Sequence, residues 1–354
     1  MARPLSRQIQ DHLVPWRDGP WPTAWSSVFG REAPLAVEVG FGNGAFLAEL
    51  ATRHPERDHV GVELSWTSAT HLFRRLDLGG QTNVRAVLGD ARLALELFFA
   101  PASLEAIYVN HPCPWPKARH EDRRLVDARF LALAASRLRA EGELLIVTDH
   151  AAYASWVREA FAGQELFASR HPTVEVAAIP GREPTKYERK AMAEGAAIHY
   201  FEWCRRAEPP AVPPHPVPDP APSMLSLTLR GAFDPDTVLH GFRPRLHREV
   251  KDGVEVVVRL VGAYRRADAG AADNPLWIIE TMVKEDELHQ EFAIALVLEH
   301  DERLLVKLSS LGRALPTYGV KRAVWLVGEL LRESAPALEL VHENLGREIV
   351  AGES

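Results

Sequence analysis

The chain is poor in cysteine: Cys113 and Cys204 are its only two in 354 residues, which excludes a disulfide framework. No basic stretch followed by an apolar run opens it as a secretion signal would, so the cytoplasm is the expected location. Long hydrophobic runs are missing too. LLIV at 144–147 and WII at 277–279 are strand-sized beside the ~18 apolar residues that cross a bilayer, so no membrane span is expected. Nor is there an excess of positive charge. With 41 Lys+Arg against 48 Asp+Glu and a formal charge of −7, the chain is not one that coats nucleic acid unspecifically, which takes clustered cations. Any polynucleotide contact must be local. What is present is an ordinary globular composition, 46% hydrophobic, long enough for about two domains.

Proline marks the division. EPPAVPPHPVPDPAPS, at 208–223, holds eight prolines in the fourteen residues 209–222. Such a segment lacks donors for a ladder and cannot bury a core, so it reads as a stiff linker. It separates a domain at 1–208 from an accessory domain at 223–354, both of usual domain size. Neither is basic: Lys+Arg minus Asp+Glu is 25 − 27 before Ser223 and 16 − 21 from there on.

Upstream of the linker, short β-branched runs alternate with helical periods. LAVEV (35–39), HVGVEL (59–64), VRAVL (84–88), AIYVN (106–110) and ELLIVT (143–148) read as strands. Helical patterns lie near 45–53, 67–77, 91–99, 121–139 and 151–162. Regular alternation predicts an α/β fold, a doubly wound parallel sheet covered on both faces. Ligands then collect outside the carboxyl ends of the strands.

The residues following those strands carry chemistry. The first strand runs through Glu38 into Gly40, Gly42 and Gly44, and the second ends in Glu63, nineteen residues beyond Gly44. Alternate glycines allow positive φ and close approach of backbone to a ligand, and the acid is placed to accept from ribose hydroxyls. A dinucleotide fold shares both features, but its spacing is G-x-G-x-x-G and this one is G-x-G-x-G. The third strand ends Gly89-Asp90-Ala91. Together these resemble the S-adenosylmethionine site of class I methyltransferases.

After the fourth strand, Asn110 leads into His111-Pro112-Cys113-Pro114-Trp115-Pro116-Lys117-Ala118-Arg119-His120-Glu121-Asp122-Arg123-Arg124-Leu125. Three prolines, an aromatic and a basic cluster suit a base-and-phosphate partner. A solvated helix face, with Arg123 and Arg124 paired to Glu121 and Asp127, is the competing reading. The fifth strand ends Thr148-Asp149, and Thr185-Lys186-Tyr187-Glu188 precedes an apolar HYFEW strand at 199–203. The region 35–203 resembles the tRNA (guanine-N7)-methyltransferase family: VEVGFGNGAF is similar to its first motif, HPCPWPKARHEDRRL to its F-P-D-P-W-P-K-x-R-H-x-x-R-R-L signature, and TKYE to its T-K-[YF]-E loop. The resemblance implies a Rossmann-like sheet, mostly parallel with an antiparallel last strand. It implies S-adenosylmethionine as cofactor and a variable-loop guanine of tRNA as substrate. Carried over by position, it implies cofactor contacts at Glu38, Gly40, Gly42, Gly44, Glu63, Asp90, Ala91 and Asn110. RNA contacts fall at Arg119, Arg123 and Arg124, and guanine contacts at Lys117, Asp149, Thr185, Lys186, Tyr187 and Glu188. The chemistry agrees. Guanine's N1–H and amine need acceptors, for which Asp149 or Glu188 is placed; its O6 needs a donor, which Lys117 or Thr185 can supply.

One position departs from the signature. Cys113 stands where the family has the aspartate usually assigned as catalytic, and His111 replaces the aromatic two residues earlier. Guanine N7 already carries an in-plane lone pair, so its attack on a methyl group is governed by positioning and needs no general base. A carboxylate adds electrostatic stabilisation as the ring becomes cationic. Three readings stay open: an active guanine-N7 enzyme relying on Asp149 and the remaining groups, a tRNA-binding paralogue with little turnover, and a cytosine-5 methyltransferase in which Cys113 is the nucleophile.

The accessory domain says less. Runs at 224–230, 254–261, 276–283, 291–298 and 303–308 read as strands, with EHDER (299–303) as a hairpin. Val320, Ala323, Val324, Val327 and Leu331 have the spacing of an amphipathic helix. A small α+β module follows, with no metal-ligand spacing among His240, His247, His289, His300 and His342. Arg243, Arg245, His247, Arg248, Arg265 and Arg266 are candidates for tRNA contact, with dimerisation as the competing role for the domain and monomer or homodimer both open.

Overall fold

The computed structural model describes residues 3–14, 21–182, 184–206, 225–234, 239, 241–265, 277–286, 288–299, 302–309 and 314–350. The chain divides into two compact units, residues 1–215 and 216–354. The proline segment at 209–222 lies outside the described residues, as do His240, Arg266 and His300.

In the first unit, helices α1 (Leu5–His12) and α2 (Trp25–Phe29) precede β1 (Leu35–Val39), α3 (Ala45–Arg53), β2 (Asp58–Glu63), α4 (Trp66–Gly79), β3 (Val84–Leu88), α5 (Ala91–Phe98) and β4 (Leu104–Asn110). There follow α6 (Ala128–Arg137), β5 (Leu138–Thr148), α7 (Ala151–Phe161), β6 (Phe167–Ser169), α8 (Lys186–Ala193) and β7 (His199–Arg205). The seven strands form one sheet in the order β3-β2-β1-β4-β5-β7-β6. Strands β1 to β5 run parallel, and β7 is antiparallel to β5, pairing Thr148 with His199. This is the expected mixed, Rossmann-like arrangement. β1 is buried along its whole length, as a strand covered on both faces must be. Leu47, Leu72, Phe73 and Leu76 pack under one face; Ala106, Tyr108, Leu145, Val147 and Tyr200 form a cluster with Ala191 and Ile198 on another.

One expected helix is corrected. The pattern at 121–139 resolves into a 3-10 turn, Ala118–Arg123, then α6 at Ala128–Arg137, with β5 starting at Leu138. Asp127 stops and restarts the chain: its side chain accepts from Phe130 N at 2.8 Å and caps α6, leaving Arg124 outside any helix. α8 was not legible as a helix. Its start is a capping box, Thr185 Oγ1 accepting from Glu188 N while Glu188 accepts from Thr185 N.

The second unit is an antiparallel sheet of β8 (Ser226–Arg230), β9 (Arg245–Lys251), β10 (Val254–Arg265), β11 (Trp277–Glu285), β12 (Leu288–Leu298), β13 (Arg303–Leu308) and β14 (Glu339–Glu343). Its order is β14-β8-β13-β12-β11-β10-β9. Helix α9 (Tyr318–Ser334) lays Val320, Ala323, Val324, Val327 and Leu331 into the apolar cluster of that sheet. The α+β expectation and the β12–β13 hairpin hold. Strands β9 and β14 were not foreseen, because as edge strands they are largely solvated and carry no buried alternation. No described helix is long and apolar enough to cross a membrane.

Gly44 is a glycine of the turn that the packing depends on. It has φ +69°, and a Cβ there would lie 2.4 Å from Leu72 Cδ1 and 3.1 Å from Leu72 Cα. We expect Gly44→Ala to cost about 2–4 kcal/mol in urea unfolding, from a left-handed penalty added to overpacking. Gly42→Ala, with φ +52° but nothing within 4 Å of the added carbon, should cost about 1 kcal/mol. Equal losses at the two positions would contradict this packing.

Candidate active site

Three parallel neighbours, β1, β4 and β5, end at one rim. Gly40 N donates to Val62 O at 2.8 Å and Gly44 N to Phe41 O at 2.8 Å, so the chain leaving β1 folds into a tight turn before α3. Glu63, at the end of β2, clamps that turn: Oε2 accepts from Gly42 N at 3.0 Å, while Oε1 accepts from Leu64 N at 2.8 Å and Ser65 N at 3.0 Å. Among the described residues, the adjacent ones in the chain aside, no heavy atom lies within 4 Å of a Cβ placed on Gly40 or Gly42, so the turn faces open space. Asp90 caps α5, its Oδ1 accepting from Arg92 N at 2.9 Å and Leu93 N at 3.1 Å. Ala91 is the first residue of that helix.

Glu38 is 2% exposed and accepts from Asn110 Nδ2 at 3.0 Å through Oε1. Its Oε2 and Asn110 Oδ1 are buried without hydrogen-bond partners among the described residues. Burial pushes the Glu38 carboxyl up to about 8, against the lowering effect of the Asn110 hydrogen bond. Two orphaned acceptors beside an open glycine turn fit a ligand that brings N–H donors and positive charge. The amino-acid end of S-adenosylmethionine has both.

On the β4–β5 side the chain reverses at His111, whose φ is +48° and whose N donates to Val147 O at 2.7 Å. His111 Nδ1 lies 3.2 Å from Asp149 Oδ1, and Tyr187 Oη donates to Asp149 Oδ2 at 3.2 Å. The His111 and Tyr187 rings are 4.3 Å apart. Burial acts to raise the Asp149 carboxyl, but the hydrogen bond and charge of His111 outweigh it and hold the group below its usual value. Glu188 is fully buried. Arg182 pairs with it at 2.8 and 2.9 Å, and Tyr200 Oη donates to Oε2 at 3.0 Å. Burial of Glu188 is overcome by Arg182, which holds its carboxyl low.

Of the positions expected at the substrate end, the structure gathers Asp149, Thr185, Tyr187 and Glu188 about one turn. Cys113 and Lys117 are exposed. Arg123 is exposed, its guanidinium 5.1 Å over the Trp115 ring. Arg124 is not offered outward: it is 6% exposed, donates to Pro114 O at 3.1 Å and Trp115 O at 3.4 Å, and stacks on Trp156. It pairs with Glu121 at 3.3 Å, whereas Asp127 pairs with Arg92. The side chains of Arg119 and Lys186 lie outside the described residues. Two residues of the cluster, His111 and Arg182, were missed. The signal for His111 was register, since Asn110 pairs with Val147 and so brings the residues after each strand together. In the second unit Arg245 pairs with Glu333, His247 with Glu249 and Arg248 with Glu255, which spends much of the basic charge expected there.

A family model described as "Putative methyltransferase" matches residues 32–201. The tRNA (guanine-N(7)-)-methyltransferase of Thermus thermophilus is 33% identical over 94% of this chain and 99% of its own. That of Deinococcus radiodurans is 33% identical over 85% of this chain and 89% of its own. The Thermotoga maritima enzyme is 44% identical over 49% of this chain, and the match spans 55% of that relative's length. A match at 33% identity over 94% of this chain and 99% of the relative makes the chain a member of the tRNA (guanine-N(7)-)-methyltransferase family.

Proposed function

We propose that the chain transfers the methyl group of S-adenosylmethionine to N7 of a variable-loop guanine in tRNA. The observation that carries this reading is the shared rim: the open glycine turn with its orphaned acceptors lies on the strand next to the one that leads into His111, and Asp149 follows the strand after that. When bound, the cofactor supplies an electrophilic methyl on a sulfonium. Glu38 and Asn110 would accept from its amino group, Glu63 from its ribose, and Asp90 and Ala91 would border its base.

The protein's work on guanine is positioning and charge. N7 needs no deprotonation, so Asp149 acts as an acceptor for the N1–H and amine edge and as a fixed negative charge beside a ring that turns cationic. Its lowered pKa keeps it ionised for that role. Thr185 and Lys117 would donate to O6. Glu188, fully buried and accepting from Arg182, Thr185 N and Tyr200 Oη, holds the Thr185–Tyr187 turn in place, which leaves the partly exposed Asp149 as the acceptor for the base. Arg123, exposed on the same loop as Lys117, is suited to phosphate, and a cytoplasmic location accompanies a tRNA substrate.

Incubation with labelled S-adenosylmethionine and unmodified tRNA, followed by nucleoside analysis, should yield 7-methylguanosine. 5-Methylcytidine would transfer the chemistry to Cys113, and tRNA binding without product would leave a binding protein. Asp149→Asn should lower kcat by about 10²–10³-fold, and Cys113→Asp should raise it.

A second prediction concerns pH. Because the Glu38 carboxyl titrates near 8 when folded, the native state holds a proton that the unfolded chain releases near its ordinary value. Stability therefore falls as pH rises from about 4.5 through 8, and Glu38→Gln should flatten that slope. A cationic ligand at Glu38 should expel the proton. Calorimetry of S-adenosylhomocysteine binding at pH 7 in two buffers of different ionisation enthalpy should show release approaching one proton, and equal heats in both would contradict it.

A further inference from the structure

We infer that His111 is a positioning residue for methyl transfer: with Tyr187 it locks the Asp149 carboxylate in the one orientation that meets the guanine edge. The inference rests on the reading of Asp149 as the acceptor for the base. Asp149 can swing about its terminal torsion, which is broad and roughly two-fold. Guanine offers its N1–H and amine side by side, so an acceptor serves it only when both oxygens lie in the plane of the base. Here each oxygen has its own tether, Oδ1 to His111 Nδ1 at 3.2 Å and Oδ2 to Tyr187 Oη at 3.2 Å. An ionised carboxylate only accepts, so the imidazole proton sits on Nδ1. Each oxygen keeps a second lone pair for a ligand.

The ring is itself firmly placed. His111 has a left-handed backbone, φ +48°, a conformation that persists in a non-glycine residue only where the surroundings over-determine it. The main-chain bond from His111 N to Val147 O at 2.7 Å and the Tyr187 ring at 4.3 Å supply that constraint. The side chain is 15% exposed. Its Nε2 is buried without a hydrogen-bond partner among the described residues and stands 4.0 Å from Glu188 Oε1, so the imidazole sits between two carboxylates and is directed at Asp149 rather than at solvent. The phenol at Tyr187 joins the same arrangement from α8, so the Thr-Lys-Tyr-Glu turn and the β4 loop set Asp149 jointly.

The test compares His111→Asn with His111→Gly. Both residues accept a left-handed backbone, but only asparagine places an N–H near the position of Nδ1. We expect His111→Asn to keep kcat within about threefold of the parent, and His111→Gly to lose about ten- to a hundredfold. KM for tRNA, set mainly by phosphate contacts, and affinity for S-adenosylhomocysteine should change little in either. Tyr187→Phe, which removes the other tether from an exposed ring, should lower kcat in the same way. His111→Gly with parental kcat, or His111→Asn falling as far as His111→Gly at equal thermal stability, would overturn the inference. A parent protein that makes no 7-methylguanosine would defeat the underlying reading instead, so the two failures are distinguishable.

Discussion

Parallel pairing of β1 with β4 and of β4 with β5 is the constraint from which the candidate site follows. Parallel strands require crossovers, so consecutive strands finish on the same side of the sheet, and whatever follows Val39, Asn110 and Thr148 is delivered to one rim. Only the Thr185–Glu188 turn joins the strand-end residues from farther along the chain, through Tyr187 and Asp149. Asn110 reaches Glu38 on the neighbouring strand, His111 reaches Asp149 on the next, and Glu63 reaches back to the glycine turn.

Charge at this rim is arranged in two registers. Beside the glycine turn the buried Glu38 carboxyl is pushed towards neutrality, which favours a cation there. On the β4–β5 side Asp149 and Glu188 are held ionised by partners of their own. The difference comes from what surrounds each acid: Glu38 meets neutral amide donors, Asn110 Nδ2 and the Leu47 backbone, whereas Glu188 has a bidentate guanidinium, a phenol and a backbone N–H. Two carboxylates of similar burial therefore have opposite tendencies, as hydrogen bonding to the charged form dictates.

The sheet and its rim were legible because buried parallel strands are continuous apolar runs and because glycines and acids directly follow them. Asp149 and Glu63 could be placed by that rule alone. Arg124 could not: a basic residue in a run of basic residues reads as an RNA contact or a solvated helix face, and only the fold shows it tied to the Pro114 and Trp115 carbonyls. Glu188 was legible as a motif residue but not as a capping-box acid paired with Arg182. His111 was visible only as a replacement at a known position, since its contact with Asp149 depends on strand register. Edge strands β9 and β14, solvated along most of their length, carry no pattern that a sequence reading can find.

A structure of the protein with S-adenosylhomocysteine and tRNA would examine the central claim directly. The account predicts a guanine turned out of the variable loop, its N1 edge on Asp149 and its N7 facing the cofactor sulfur above the Gly40–Gly44 turn. A base whose N7 points away from that sulfur while Asp149 contacts only protein, or a cytosine ring seated against Cys113, would contradict it.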